Sequence, residues 1–150
     1  MKKLVSIAVA AALIAVAVVL AQMYVAAQIY YPMVRLASSD GLVVTAMHDQ
    51  TSDRRQCGEM NQRFVAPIRV YCKDCSVLYA RCERHLDGEQ DALYSGRSRL
   101  DLVLSPGLRM AISGPAPAAA ALCDFVAADL VKRGYPSAVC IHPKASGTGK

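Results

Sequence analysis

The sequence predicts an α+β protein, in which an N-terminal transmembrane or signal helix precedes a ferredoxin-like sandwich of two βαβ halves stapled by disulfides. An apolar segment opens the chain, two later segments repeat a strand-helix-strand pattern, and there are six cysteines. At 150 residues the chain has room for a targeting segment and one domain, since a domain usually takes about 100–200 residues. This length excludes a multidomain enzyme. With 54% hydrophobic and 19% charged residues, the composition excludes a disordered chain.

The N-terminal segment, residues 1–31, is predicted to be a signal-anchor helix. Lys2 and Lys3 precede an apolar run at 4–27, which exceeds the roughly 20 residues that cross a bilayer. Because positive residues stay in the cytoplasm, the chain from about residue 32 onward is expected to be exported. We therefore expect a single-pass protein of the bacterial inner membrane, with its C-terminal domain in the periplasm and residues 4–27 in contact with lipid.

The same segment also fits a cleaved signal peptide. Small residues precede Gln22 and Gln28, as they do at signal-peptidase sites. Cleavage would release the domain into the periplasm. In both cases the cysteines reach an oxidising compartment, where disulfides form and persist.

Two segments of the exported part resemble one another. Gly41-Leu42 falls on Gly107-Leu108, and the same offset carries Cys57 onto Cys123. We therefore predict two halves, each made of a strand, a helix and a second strand. Two βαβ units of this size are typical of a ferredoxin-like sandwich, an antiparallel sheet with helices on one face.

The apolar pattern places the elements of the first half and of the connection that follows it. Strands are predicted at 42–47 and 76–82, on either side of a helix that carries Cys57. Between the halves we expect a short helix at 87–94 and a further strand at 99–104.

The second half is predicted in the same way. A strand at 108–113 leads to an alanine-rich helix, and a second strand follows at 137–141. Lys132 and Arg133 suit the last turn of that helix because cations favour its C-terminal dipole, and Gly134 suits the left-handed C-cap. The domain is thus expected at 41–143. A linker at 32–40 precedes it and a flexible tail at 144–150 follows it.

The repeat selects a disulfide pairing. In each half one cysteine lies in the helix and another ends the following strand, which pairs Cys57 with Cys82 and Cys123 with Cys140. A disulfide needs a Cα separation of about 4.4–6.8 Å. A helix packed on its own sheet meets that requirement more easily than a link between halves does.

Cys72 and Cys75 remain, and we pair them with each other as a structural clip in the loop between helix and strand. The alternative is thiol-disulfide exchange, in which such a pair cycles between dithiol and disulfide when a helix N-terminus acidifies the first thiol. Here the pair follows the predicted helix, so that dipole is missing.

Zinc binding is a rival interpretation of the same region. Cys72, Cys75, Cys82 and His85 supply the ligand types of a tetrahedral zinc site. An extended strand between the two pairs would hold them roughly 20 Å apart, at about 3.3 Å per residue. Oxidising surroundings also disfavour free thiolates. We therefore predict no metal site and no cofactor.

No catalytic constellation is visible. His48, His85 and His142 each follow a predicted strand, and we expect them to be solvated loop residues. The chain lacks the nucleophile elbow, the zinc-binding helix motif and the phosphate-binding loop. The sequence leaves enzyme activity open and favours a non-catalytic protein without catalytic residues.

Arginine dominates the cations of the exported part. They include Arg54, Arg55, Arg63, Arg69, Arg81, Arg84, Arg97, Arg99, Arg109 and Arg133. Guanidinium forks suit carboxylates and phosphates, so an acidic glycan is a candidate partner. The net charge of +5 includes the leader lysines and does not indicate nucleic-acid binding.

These observations predict a membrane-anchored, exported accessory or binding protein without catalytic activity. Its expected setting is an envelope polysaccharide or cell-wall complex, with an envelope protein as partner. The alternative function is thiol-disulfide exchange at Cys72 and Cys75.

Overall fold

The computed structural model of the protein describes residues 13–23, 28–71 and 74–143. In chain order the elements are helix α1 at 13–23, strands β1 (Tyr31–Ala37) and β2 (Val43–His48), helix α2 (Arg54–Tyr71), strand β3 (Ser76–Glu83), helix α3 (Gly88–Tyr94), strands β4 (Asp101–Ser105) and β5 (Leu108–Ser113), helix α4 (Ala116–Lys132) and strand β6 (Val139–Ile141). The α+β class is therefore confirmed.

Within these ranges, six strands form one sheet in the order β3-β1-β2-β5-β4-β6, and every neighbouring pair is antiparallel. Each half begins with a hairpin, β1-β2 or β4-β5. A helix then returns the chain to the outer side of the hairpin's first strand. The halves meet where β2 pairs with β5, and Thr45 lies opposite Ala111 there. These two residues correspond under the sequence repeat, so an approximate twofold axis passes between them.

The topology differs from the expected ferredoxin-like order. In a split βαβ unit of that fold, a strand of the other half fills the gap between the two parallel strands. Here β1 lies between β2 and β3 of its own half, and β4 lies between β5 and β6. Each half is thus a ββαβ unit, which has one strand more than the predicted βαβ unit.

Strand β1 occupies most of the stretch for which the sequence predicts a linker at 32–40. Met33 and Val34 are consecutive and both 0% exposed, because β1 is covered on both faces of the sheet. A strand buried on both faces lacks apolar-polar alternation, so the pattern did not distinguish it from the end of the apolar leader.

Helices α2 and α4 cover one face of the sheet, which we call the helix face. Its buried core consists of Ala46, Val103, Met110, Ile112, Ala119, Cys123 and Ala127. Small side chains on the inner side of α4 let that helix approach the strands closely, and Phe64 of α2 packs against the same core.

Helix α3 covers the opposite face, which we call the α3 face. Neighbouring strand residues point to opposite faces, so Met47 lies here although Ala46 belongs to the helix face. The buried core consists of Met33, Met47, Leu93, Leu102 and Ala111. Leu93 is the buried residue of α3 and anchors that helix to the sheet.

Two disulfides join each long helix to the last strand of its own half. Cys57 is bonded to Cys82 with a Cα separation of 6.1 Å, and Cys123 to Cys140 with a separation of 5.6 Å. Both pairs agree with the pairing that the sequence repeat predicts. Cys75 is also disulfide-bonded. Its predicted partner Cys72 lies outside the described residues, so that third pair stays a prediction.

Most of the predicted anchor at 4–27 lies outside the described residues. Of that stretch, residues 13–23 form α1, and all of their side chains are exposed. No helix in the described part of the chain has both the length and the apolar character of a membrane span. The predicted tail at 144–150 lies outside the described residues as well.

Candidate functional site

A cavity of about 170 Å³ opens on the α3 face, between the sheet and α3. Its floor is one row of side chains across four neighbouring strands. Tyr79 lies opposite Arg35, Arg35 lies opposite Thr45, and Thr45 lies opposite Ala111. The rim consists of Arg81, Asp87, Glu89, Gln90, Leu93, Ser98 and Leu100.

Arg35 projects from the middle of β1 into this cavity and is only partly exposed. Its Nε atom is buried, and none of the described residues accepts a hydrogen bond from it. A buried donor without a partner costs about 1–3 kcal/mol. The fold therefore carries one unsatisfied N–H donor, Nε of Arg35, on a guanidinium group that lines a cavity.

Arg81 adds a second guanidinium to the lining of the cavity. Its Cζ lies 4.3 Å from the centroid of the Tyr79 ring, and its Nε forms an ion pair with Glu83. The Tyr79 hydroxyl in turn contacts Met33 Sδ at 3.4 Å. The contact with Met33 therefore fixes the Tyr79 ring, and the ring makes a cation-π contact with the Arg81 guanidinium at the cavity edge.

The rim on the α3 side is fixed by a capping box. The Gln90 backbone N–H donates to Asp87 Oδ1 at 2.8 Å, and the Asp87 backbone N–H donates to Gln90 Oε1 at 3.1 Å. This reciprocal pair satisfies two donors of the first turn of α3. Glu89 and Ser98 add a carboxylate and a hydroxyl to the lining, so the rim offers both acceptors and donors.

The cavity suits one small anionic group with neighbouring hydroxyls. Guanidinium forks bind carboxylates with two parallel hydrogen bonds, whereas carboxylate, amide and hydroxyl side chains bind hydroxyl groups. Pockets for drug-sized ligands enclose about 300–1,000 Å³. The volume of about 170 Å³ is smaller, so the cavity has room for less than a drug-sized ligand.

Sequence reasoning named Arg81 but missed Arg35, the central residue of this site. Arg35 lies within the expected linker, so it was not assigned to a sheet. The signal that could have found it is the apolar run at 32–36, which contains a single charged residue. An exposed linker does not require such an apolar run.

A second polar cluster surrounds the Cys123–Cys140 bridge on the helix face. His142 follows β6, and its Nδ1 donates to Asp101 Oδ1 at 2.6 Å. The Asp101 side chain is 10% exposed. This hydrogen bond, more than the charge of nearby Asp124, raises the pKa of His142. His142 Nε2 lies 3.3 Å from Asp124 Oδ1 and 3.6 Å from Cys140 Sγ.

The other two histidines have different surroundings. His85 is exposed, in agreement with the expected solvated loop. His48 ends β2 on the helix face, where its ring lies edge-on to the Phe64 ring and Nδ1 lies 3.3 Å from the Gly107 carbonyl oxygen. Burial lowers the pKa of His48. The expectation of a solvated residue is therefore wrong for His48, because Phe64 of α2 covers it.

The rival zinc site at Cys72, Cys75, Cys82 and His85 is not assembled in the part of the chain that the structure describes. Cys82 is bonded to Cys57, so its sulfur is not a free thiolate. Cys72 lies outside the described residues, and thiol-disulfide exchange at Cys72 and Cys75 stays untested.

Comparison with known proteins finds no matching protein family, no matching curated protein and no matching solved structure. Function is therefore argued from the residues of the chain itself.

Proposed function

We propose that this protein is an exported, membrane-anchored binding protein of the bacterial envelope, and that its domain holds one unit of an acidic glycan without catalysing a reaction. The observation that carries the proposal is the Arg35 guanidinium, whose Nε is buried beside a cavity and has no acceptor among the described residues. A sugar carboxylate is the ligand group that would complete its hydrogen bonding.

The remaining cavity residues favour a glycan over a polyanion. Asp87 and Glu89 line the same cavity as Arg35 and Arg81. Their carboxylates would repel a phosphate-rich ligand, because like charges in a partly desolvated site raise its free energy. A uronic acid carries one negative charge and several hydroxyls. The charge suits Arg35, and the hydroxyls suit the carboxylate, amide and hydroxyl groups at the rim.

Export is supported by the disulfides and by the leader. Two of the cysteine pairs in the described domain are bonded, and such bonds persist in oxidising compartments. Lys2, Lys3 and the apolar run at 4–27 are arranged as in a signal anchor with a cytoplasmic N-terminus. An anchored domain with a glycan cavity fits an accessory role in an envelope polysaccharide complex, in which an envelope protein is the partner.

The test is a binding titration with the full chain in detergent micelles. Oligogalacturonate is the acidic probe, an uncharged glucose oligomer is the neutral probe, and calorimetry is the readout. We expect binding of the acidic probe only. Arg35→Gln should weaken it at least tenfold, because loss of a charged hydrogen bond costs about 1.5–3 kcal/mol.

Arg55→Gln is the matched control, since Arg55 is an exposed arginine paired with Glu59 on α2 and does not line the cavity. It should leave the affinity unchanged. Equal binding of the acidic probe by Arg35→Gln and by the unaltered protein would refute the proposed site, and so would equal binding of both probes.

A further inference from the structure

The cluster around the Cys123–Cys140 bridge is separate from the glycan cavity, since it lies on the opposite face of the sheet. It brings two sulfurs, an imidazole and two carboxylates together at the junction of α4, β4 and β6. We infer that the reduced form of this bridge is a tetrahedral site for zinc or a similar divalent cation. Its ligands are Cys123, Cys140, His142 and Asp124.

The distances between the ligand atoms support this assignment. The ligand atoms of Asp124, Cys140 and His142 all lie within 4.8 Å of one another and supply three of the four ligands. Cys123 belongs to a second group of the same size with Asp101 and Cys140, so it reaches the first group through Cys140, to which it is bonded. In a tetrahedral site with zinc-sulfur bonds of about 2.3 Å, the two sulfurs lie about 3.8 Å apart. A disulfide holds its sulfurs about 2.0 Å apart, so metal binding requires the two sulfurs of the reduced bridge to move apart by about 1.8 Å.

Asp101 orients the imidazole for this role. Its carboxylate binds Nδ1 of His142 at 2.6 Å, which leaves Nε2 to face Asp124 Oδ1 at 3.3 Å. Cys140 Sγ lies beside the ring, 3.6 Å from Nε2 and 3.8 Å from Nδ1. A carboxylate on the far nitrogen of a ligand histidine fixes the ring and increases its basicity, as in many zinc proteins. Asp101 is thus a positioning residue and not a ligand.

The other bridge provides an internal comparison. Cys57–Cys82 also joins a helix to the last strand of its half, but the polar side chain beside it is the neutral amide of Asn61, with Nδ2 3.9 Å from Cys82 Sγ. Among the described residues, the groupings that suit a metal ion all contain Cys140 and none contains Cys57 or Cys82. The metal site is therefore expected at one bridge and not at both.

The chemical step requires a dithiol reductant. The dithiol gives two electrons and two protons to the Cys123–Cys140 bond, which breaks to yield two thiols, and the reductant closes to its own disulfide. The divalent cation then binds both sulfurs as thiolates and releases their two protons to solvent. A further proton leaves Nε2 when the His142 ring is protonated.

The experiment uses the full-length chain with Cys72→Ser and Cys75→Ser, so that this pair cannot contribute thiolates. The protein is reduced with dithiothreitol, separated from it without oxygen, and titrated with Co²⁺. We expect one Co²⁺ per chain, with sulfur-to-cobalt charge transfer in the near ultraviolet and the intense visible bands of tetrahedral cobalt. Zn²⁺ should displace the cobalt.

Variants locate the site. Adding Cys123→Ser and Cys140→Ser should abolish the cobalt spectrum, whereas adding Cys57→Ser and Cys82→Ser should retain it. His142→Gln should weaken binding at least tenfold. Asp101→Asn should retain the spectrum and weaken binding about tenfold to a hundredfold, as outer-shell changes do. A cobalt spectrum that survives loss of Cys123 and Cys140 would overturn the inference, as would the absence of charge transfer in the reduced parent.

Thiol alkylation keeps the test decisive if a cysteine variant does not fold. The reduced parent is treated with iodoacetamide with and without Zn²⁺, and the labelled cysteines are identified by mass spectrometry. Zn²⁺ should protect Cys123 and Cys140 and leave Cys57 and Cys82 reactive. Equal protection of both pairs would indicate that Zn²⁺ binds thiols without selectivity, and this result would contradict the inference.

Discussion

Arg35 in β1 lies directly opposite Tyr79 in β3, and the ladder shifts its register at the next position, between Arg35 and Leu36. A shift of this kind inserts an extra residue on one strand and changes the direction of nearby side chains. The irregularity thus lies at the floor of the cavity. The shift divides β1 into two parts, 31–35 and 36–37, which pair with β3 in different registers.

Replacing Tyr79 by Leu should weaken glycan binding about twofold to fivefold. The ring supports the Arg81 guanidinium, and cation-π contacts at exposed sites contribute about 0.5–1 kcal/mol. Tyr79→Phe is the control, because it keeps the ring and removes only the hydroxyl contact with Met33. Calorimetric titration with oligogalacturonate checks both. A loss with Phe equal to the loss with Leu would assign the effect to the hydroxyl and contradict the role of the ring.

Replacing Arg35 by Met should stabilise the domain by about 1 kcal/mol while it abolishes binding of the acidic probe. An apolar side chain of similar length removes the unsatisfied donor and its desolvation cost. Urea unfolding followed by circular dichroism measures the change, with Arg55→Met as an exposed control. A lower unfolding midpoint for Arg35→Met would show that the Arg35 side chain stabilises the folded protein. That result would contradict the cost assigned to its unsatisfied donor.

Removing the Cys123–Cys140 bridge by a double change to Ser should lower the free energy of unfolding by about 3 kcal/mol. The bridge spans a sequence separation of 17, and a cross-link of this span restricts the unfolded chain by about that amount in the chain-entropy model. The Cys57–Cys82 bridge spans 25, so its removal should cost slightly more. Urea unfolding of the two double variants compares them. A cost near zero for either bridge would contradict this account.

His48 should contribute to the free energy of unfolding of the domain, and this contribution should decrease as the pH is lowered. Burial lowers the pKa of His48 in the folded state, although the Gly107 carbonyl and the charge of Asp49 act in the opposite direction. The unfolded chain therefore binds a proton more readily. The contribution is fully present above the unfolded pKa of about 6.5 and is lost as the pH falls below it.

The pH dependence is isolated by comparing the unaltered protein with His48→Leu between pH 8 and pH 5. Beside His48, Arg109 forms an ion pair with Asp49, and the uncharged Phe64 ring covers the imidazole. His142 acts in the opposite sense, because its raised pKa gives stability that is lost as the pH rises. Because His142 is present in both proteins, its effect does not contribute to the difference between them. Urea midpoints that change with pH by the same amount in both would exclude the His48 contribution.

Local patterns allowed most elements of the two halves to be predicted. The strand at 108–113 coincides with β5, and the alanine-rich segment ended by Gly134 is α4. Strand, helix and cap all depend on neighbouring residues, so a single sequence contains them. The same holds for the two bonded pairs, because each bridge lies within one half.

The cavity could not be predicted in this way because it depends on pairing between distant residues. Thr45 and Tyr79 become neighbours of Arg35 only through the registers of β1 with β2 and with β3. The His142 and Asp101 pair likewise depends on β6 returning beside β4. Neither register leaves a signal in a short window of sequence.

The approximate twofold axis has a consequence for binding stoichiometry. Thr45 corresponds to Ala111, and their partners across the hairpins, Arg35 and Leu102, correspond to each other as well. Leu102 is 1% exposed and completes the apolar core, whereas Arg35 lines the cavity. Equivalent positions thus carry opposite chemistry. Within the described domain the duplication of structure does not duplicate this arginine, and one chain should take up one glycan unit.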